Sequence, residues 1–247
     1  MQSRRYVLAL AAATLALSAP VFAQQKAAKP LKITVYGGSG NIGSRIVKEA
    51  TARGHSVTVV DRAPKADLAP AGVKLVQGDA MVAKDIAKHI ADQDVVVSSV
   101  ILRSAPSPDF ALKVAQAMVE AQRSQKGAAK TRLLIVGGAS SLYNADGKRI
   151  VDTLPPTLPQ GTQWEIRSAV AALDWLRAEV KDTSWTFFSP ASNIAPGTRT
   201  GKFRLGTEQL VVDAEGKSAI SMEDFAVAMV DEIEKPQFVN KRFTAAY

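Results

Sequence analysis

Ile33-Thr34-Val35-Tyr36-Gly37-Gly38-Ser39-Gly40-Asn41-Ile42-Gly43 is the stretch on which the fold turns. A short apolar run, Leu31–Tyr36, reads as a strand. It ends in three glycines spaced by two residues, Gly37, Gly40 and Gly43. A helical pattern follows over Asn41–Arg53, with Ile42, Ile46, Val47 and Ala50 on one stripe. Strand, glycine turn, helix is the arrangement that presents unpaired backbone N–H groups and the positive end of a helix to a phosphate. Gly37 permits the tight turn, Gly40 a close approach of pyrophosphate, and Gly43 close packing of helix on sheet. A second strand, Ser56–Asp61, ends on an acidic residue 18 positions after Gly43. A carboxylate there suits the ribose hydroxyls of NAD, whereas the neighbouring Arg62 suits a 2′-phosphate, so the reading is NAD(P)(H) with the choice open.

Downstream, strand-like and helix-like runs keep alternating, the signature of an α/β, Rossmann-like, doubly wound parallel sheet. The pattern predicts strands at Val73–Gln77, Asp94–Ile101, Arg132–Val136 and Ser184–Phe188. Helices are expected at Asp85–Ala91, at Asp109–Arg123 and from about Trp164 to Val180. Leu142–Gly161 reads as a loop. Beyond Pro190 the pattern changes to short strands, Lys202–Leu205 and Gln209–Asp213, then a helix and a last strand, Phe238–Tyr247. That helix is opened by the capping-box match Ser221-Met222-Glu223-Asp224. This C-terminal portion is expected to form a small substrate-side extension of one domain, 31–247.

Residues 1–23 read as a signal peptide, to be set aside from the fold. Arg4 and Arg5 precede an apolar stretch, Tyr6–Leu17, too short to span a membrane stably, and Val21-Phe22-Ala23 offers a cleavage site before Gln24. Ser3-Arg4-Arg5-Tyr6-Val7-Leu8 also resembles a twin-arginine signal, and the ordinary and twin-arginine routes both stay open. Gln24–Pro30 is a polar linker, and the expected location is a bacterial periplasm. Cleavage removes two of 31 basic residues and none of 23 acidic ones, so the charge falls from +8 to +6.

Composition excludes several chemistries. The chain of 247 residues has no cysteine, which rules out disulfides, thiolate metal sites and cysteine nucleophiles, and only two histidines, His55 and His89. No metal site is expected. Basic residues are scattered without interleaved aromatics, so no nucleic-acid role is read from the charge. Arg199, Lys202 and Arg204 are the one local basic cluster, read as a solvated loop in preference to a flavin-phosphate site. The oligomeric state is not legible.

Taken in series, the glycine stretch, Arg53-Gly54-His55-Ser56-Val57, Gln77-Gly78-Asp79 and Leu134-Ile135-Val136-Gly137-Gly138-Ala139-Ser140-Ser141-Leu142 resemble the atypical short-chain dehydrogenases. Trp185-Thr186-Phe187-Phe188-Ser189-Pro190-Ala191 and Pro196-Gly197-Thr198-Arg199-Thr200-Gly201-Lys202 extend the resemblance over about 31–247. The nearest group is the NmrA-like and NADH-flavin reductase family, related to biliverdin reductase B. The resemblance implies that Ser39, Asn41 and Ile42, with Gly38 beside them, meet the pyrophosphate and Arg62 the adenosine side. It implies Asp79 and Ala80 beside the adenine. Ser98, Ser99, Gly138 and Ala139 would line the nicotinamide side, with Pro190, Ala191 and Asn193 closing the far wall.

Typical short-chain dehydrogenases use a tyrosine with a lysine four residues later as the acid/base pair. This sequence has no such pair; four residues after Trp164 stands Ser168. Ser140, Ser141 and Tyr143 are the candidate catalytic groups. The expectation is a reductase passing hydride to a small-molecule acceptor such as a flavin or quinone, with flavin as substrate, because such acceptors need no dedicated proton donor at the reacting carbon. The alternative is a non-catalytic NAD(P)-binding sensor or scaffold.

Overall fold

The computed structural model describes residues 29–64, 70–100, 105–126 and 131–247. The expected signal peptide, most of the linker and Ile101 lie outside the described residues. Ten strands and five α-helices follow in chain order among those described: β1 (Lys32–Tyr36), α1 (Asn41–Ala52), β2 (Ser56–Asp61), β3 (Lys74–Gln77), α2 (Ala83–Ile90), β4 (Val95–Ser98), α3 (Phe110–Ser124), β5 (Arg132–Val136), α4 (Gln160–Glu179), β6 (Trp185–Ser189), β7 (Asn193–Ala195), β8 (Arg204–Gly206), β9 (Ala219–Ser221), α5 (Met222–Glu234) and β10 (Lys241–Ala246).

Eight strands form one sheet in the order β3-β2-β1-β4-β5-β6-β10-β8. Every pairing in it is parallel except β10 with β8. The sheet is covered on both faces, which is why β4 and β6 are apolar or buried at every position instead of alternating. Ile33, Val35, Val59 and Phe188 pack on one face against α1 and α5, while Tyr36, Val96, Leu133 and Phe187 face α2, α3 and α4. Strand order reverses between β1 and β4. In open parallel sheets the crevice at the carboxyl ends of the strands beside such a reversal is where ligands bind.

Three expectations need correction. The predicted strand Asp94–Ile101 is shorter, Val95–Ser98; the Ser99 N–H makes a last bond to the Tyr36 carbonyl at 2.9 Å where the crevice opens. Asp94 accepts the Lys32 N–H through Oδ2 at 2.8 Å and so ties down the start of β1. Gln209–Asp213 forms no strand. It is carried by single links to Tyr143, whose N–H donates to the Glu208 carbonyl and whose carbonyl accepts from Leu210, both at 2.9 Å. Helix α4 begins at Gln160, earlier than the apolar stripe suggests, just after Pro159. A pair of three-residue parallel strands, β7 with β9, had no signal in the sequence.

Ser168 has a clear structural task. It is fully buried on α4, and its Oγ accepts from the N–H groups of Ala111 at 2.7 Å and Leu112 at 3.3 Å. The residue before α3 contributes no side-chain cap of its own. Ser168 therefore caps α3 from a neighbouring helix, a contact typically worth about 1 kcal/mol.

The C-terminal extension is pinned by a buried carboxylate. Ser221 caps α5 by accepting the Asp224 N–H at 2.9 Å, as the capping-box match predicts. The reciprocal half of the box is not made. The Ser221 N–H donates to the Tyr247 hydroxyl instead, at 3.0 Å. Asp224, with no exposed surface, accepts from the N–H groups of Thr200 and Gly201 and from the hydroxyls of Thr200 and Tyr247, at 2.6–2.9 Å.

Candidate functional site

A cavity of about 780 Å³ opens at the carboxyl ends of the parallel strands. Gly40, Asn41 and Ile42 form one end of it, Ser98 and Ser99 the floor after β4, and Gly138, Ala139 and Ser140 the loop after β5. Pro190 and Ala191 after β6, with Ile194 and Met222 from the extension, form the far wall. Phe110, Val114, Ile150, Leu154 and Ile166 supply a broad apolar side.

The glycine loop is built for close approach. Gly37 has φ +74°, and a Cβ on it would lie 2.5 Å from the Ser99 carbonyl oxygen, so a side chain is excluded twice over. A Cβ on Gly43 would lie 2.1 Å from the Gly37 carbonyl oxygen. Gly40 is the N-cap of α1 and provides no side-chain hydrogen bond to the helix end. The first turn of α1 thus meets the cavity with its backbone donors and the positive end of its dipole. That arrangement fits a phosphate-bearing dinucleotide. Gly40, Asn41 and Ile42 are the residues of this turn that line the cavity.

At the other end of the loop, Asp61 accepts two hydrogen bonds through Oδ2, from Ser39 N–H at 2.9 Å and Ser39 Oγ at 2.6 Å. Arg62 is exposed, and its carbonyl accepts from Gln77 Nε2 at 3.2 Å. Asp79 turns the chain into α2: its Oδ1 accepts the Met81 N–H, and its own N–H donates to Asp85 Oδ2. Ala80 is buried beside it.

The sequence-derived residues divide by position. Gly40, Asn41, Ile42, Ser98, Ser99, Gly138, Ala139, Pro190 and Ala191 line the cavity together. Gly37, Gly38, Ser39, Gly43, Asp61 and Arg62 form or support the loop behind it, and Asp79 and Ala80 lie further along the sheet edge. Asn193 is exposed on β7, paired with Ala219. Of the three candidate catalytic groups, Ser140 reaches the cavity. Ser141 is buried in a polar network instead, bonded to the Gly138 carbonyl, to Ser189 Oγ and to Arg242, and Tyr143 does not line the cavity.

Arg242 was missed by sequence reasoning. Its side chain is fully buried, and its guanidinium donates to Ser141 and to Glu208, fixing the loop after β5 from beneath. Burial pulls its pKa down and the Glu208 carboxylate pulls it back up, with burial the larger effect. An arginine next to a lysine at the start of a strand carries no signal of this task. The basic cluster stands away from the cavity: Arg199 forks onto Glu49 with two bonds of 2.8 Å, and Arg204 donates to backbone carbonyls. His55 is structural too, accepting the Leu31 N–H and contacting Glu234. Among the described residues no group of three or more His, Asp or Glu could hold a metal ion.

Residues 37–236 match the family model described as NAD(P)H-binding. The chain belongs to the NAD(P)H-binding family. A protein of Burkholderia pseudomallei, provisionally named an exported protein, is 41% identical with a TM-score of 0.76, covering 88% of this chain and all of that one. A provisionally named epimerase of Bacteroides thetaiotaomicron is 35% identical with a TM-score of 0.77, over 89% of this chain and 98% of its own. A provisionally named NADH-flavin reductase of Streptococcus pneumoniae is 29% identical with a TM-score of 0.71, over 87% of this chain and 99% of its own. Membership of the NAD(P)H-binding family agrees with the Rossmann-like, atypical short-chain dehydrogenase architecture and makes NAD(P)(H) the cofactor. No helix among the described residues is long and apolar enough to cross a membrane.

Proposed function

We propose that this chain is an NAD(P)H-dependent reductase whose acceptor is a flavin, a quinone or a similar planar molecule. The observation that carries the reading is the single cavity running from the uncapped N-terminus of α1 to the apolar side of Phe110, Ile150, Leu154 and Ile166. It offers anion-binding backbone at one end and an apolar slot at the other. Similarity to the streptococcal protein supports the same class.

Bound NAD(P)H supplies a hydride, and the acceptor takes it together with a proton from water. The chain's own contribution is orientation and exclusion of solvent. Ser98, Ser99, Gly138 and Ala139 line the floor of the slot, and Ser140 beside them is the hydroxyl proposed to hydrogen-bond an acceptor carbonyl. The cavity face of α4 carries Thr162, Glu165, Ile166 and Ala169, while Ser168 is committed to α3. That face suits a hydride acceptor protonated from solvent better than an alcohol or sugar that needs a tyrosine–lysine pair.

The test is to supply NADH and NADPH in turn with FMN, FAD and a soluble quinone. Oxidation above the enzyme-free rate with at least one pair is expected. Tight dinucleotide binding with no turnover of any acceptor would overturn the reductase reading and favour a sensor. Export belongs to the same proposal, supported by Arg4-Arg5, the apolar stretch after them and the resemblance to the Burkholderia protein. Protein recovered from a bacterial periplasm is expected to begin at Gln24; an intact Met1 would refute export by cleavage.

A further inference from the structure

Resting on the reductase reading, we infer that Glu208 and Arg242 are positioning residues for the acceptor: from behind the cavity wall they set the apolar side of the slot. The loop after β5 brings Ser140, Ile150 and Leu154 to the cavity. The Ile150 N–H donates to the Leu142 carbonyl at 2.9 Å, so this wall residue is tied to the neighbour of Tyr143. Tyr143 is bonded in turn to the segment after β8, through the Glu208 carbonyl and the Leu210 N–H, both at 2.9 Å. The place of the apolar wall is therefore set by where Glu208 stands.

The Glu208 carboxylate gathers the other elements around the slot. One oxygen accepts from Arg177 on α4 at 2.5 Å, and the other from Arg242 on β10. The Arg242 fork also reaches the Ser141 carbonyl and, at 3.1 Å, the Ser141 hydroxyl. Ser141 bonds Ser189 at 3.1 Å, the residue that leads into the far wall at Pro190. Arg149, on the same loop as Ile150, adds a second tie to α4 by donating to Asp174 at 3.0 Å. The loop after β5, α4 and the end of β6 thus meet at one ion cluster. Arg242 is fully buried and Arg177 carries the same charge, so the carboxylate between them holds the two guanidiniums together. Removing it leaves a buried cation without its counter-charge and the wall without its anchor. None of these bonds involves the glycine loop or the first turn of α1, so the effect belongs to the acceptor end of the cavity.

The experiment compares wild type with Glu208→Ala and Glu208→Gln. Dinucleotide affinity is measured by titration, and steady-state rates are measured against FMN, FAD and menadione with the dinucleotide saturating. Glu208→Ala is expected to raise the acceptor KM at least about fivefold, with kcat and the dinucleotide Kd each within about twofold of wild type. Glu208→Gln keeps an oxygen for one arginine but no charge, and its KM is expected to rise about two- to fivefold. Melting curves establish that each variant is folded at the assay temperature, and Glu208→Gln carries the test if Glu208→Ala is not. An acceptor KM at the wild-type level in the folded variants overturns this inference alone. So does a loss of dinucleotide affinity that matches the rise in KM, because that is the mark of general loosening. A wild type that turns over none of the three acceptors overturns the reductase reading and this inference with it.

Discussion

Gly40→Asp is expected to abolish dinucleotide binding, weakening it about 100-fold or more, while the protein melts at or above the wild-type temperature. Gly40 is the N-cap of α1 with φ −77° and ψ 172°, a conformation any residue adopts. Aspartate is among the preferred N-cap residues, and its charge suits the helix dipole, so α1 should gain a cap it lacks. Its Cβ would lie 3.1 Å from the Gly37 carbonyl oxygen, tight enough to require a shift of a few tenths of an ångström. The same carboxylate would sit where the first turn of α1 faces the cavity and would repel a pyrophosphate. Stability and binding thus move in opposite directions. Titration alongside a melting curve reads both, and unchanged affinity would show that the loop is only a turn.

Asp224→Ala should cost about 1.5–3 kcal/mol of folding stability or more, the range for losing a hydrogen bond to a charged group. Four donors from Thr200, Gly201 and Tyr247 would lose the carboxylate that ties the exposed turn at Thr200 and Gly201 to α5. Burial alone would raise the Asp224 pKa; the hydrogen bonds from Thr200, Gly201 and Tyr247 outweigh it and hold the carboxyl below its ordinary value. Glu49, buried under Arg199 and Arg53, is depressed by the same balance. A carboxyl whose folded pKa is depressed contributes stability that is fully present above its unfolded value of about 4 and is lost as pH falls through the folded value. Wild type should therefore hold its melting temperature down to about pH 5 and lose it steadily below about pH 4. Asp224→Ala should show a shallower acid limb. A variant as stable as wild type, or an equally steep acid limb, would refute this account of the extension.

The doubly wound core was legible because its strands are buried on both faces and its helices carry one apolar stripe each. β2, β5 and α1 fall within a residue of their sequence-derived limits for that reason. β7 and β9 could not be read: three residues are too few to show a period of two, and their pairing joins segments 26 positions apart. Gln209–Asp213 misled because its apolar run Leu210-Val211-Val212, with two β-branched residues, imitates a strand, although its backbone is held through Tyr143. At the site, the glycines were legible because their spacing reports backbone geometry. Ser141 and Arg242 were opaque because what decides their task is a contact between β10 and the loop after β5, 101 positions away. Sequence shows a serine near the cavity; only packing shows which serine is already engaged.

β10 stands inside the main sheet, between β6 and β8, yet it is the last strand along the chain. While a ribosome is still adding these residues, β6, with its run Trp185-Thr186-Phe187-Phe188-Ser189, has an open side, and β8 has no neighbour in the sheet at all. An apolar strand with an unpaired edge invites other chains to join it. The nascent protein must pass through that vulnerable interval before Phe243 and its neighbours arrive to close it. A translational delay placed between the codons of β8 and those of β10 should therefore lower soluble yield more than an equal delay placed before β1.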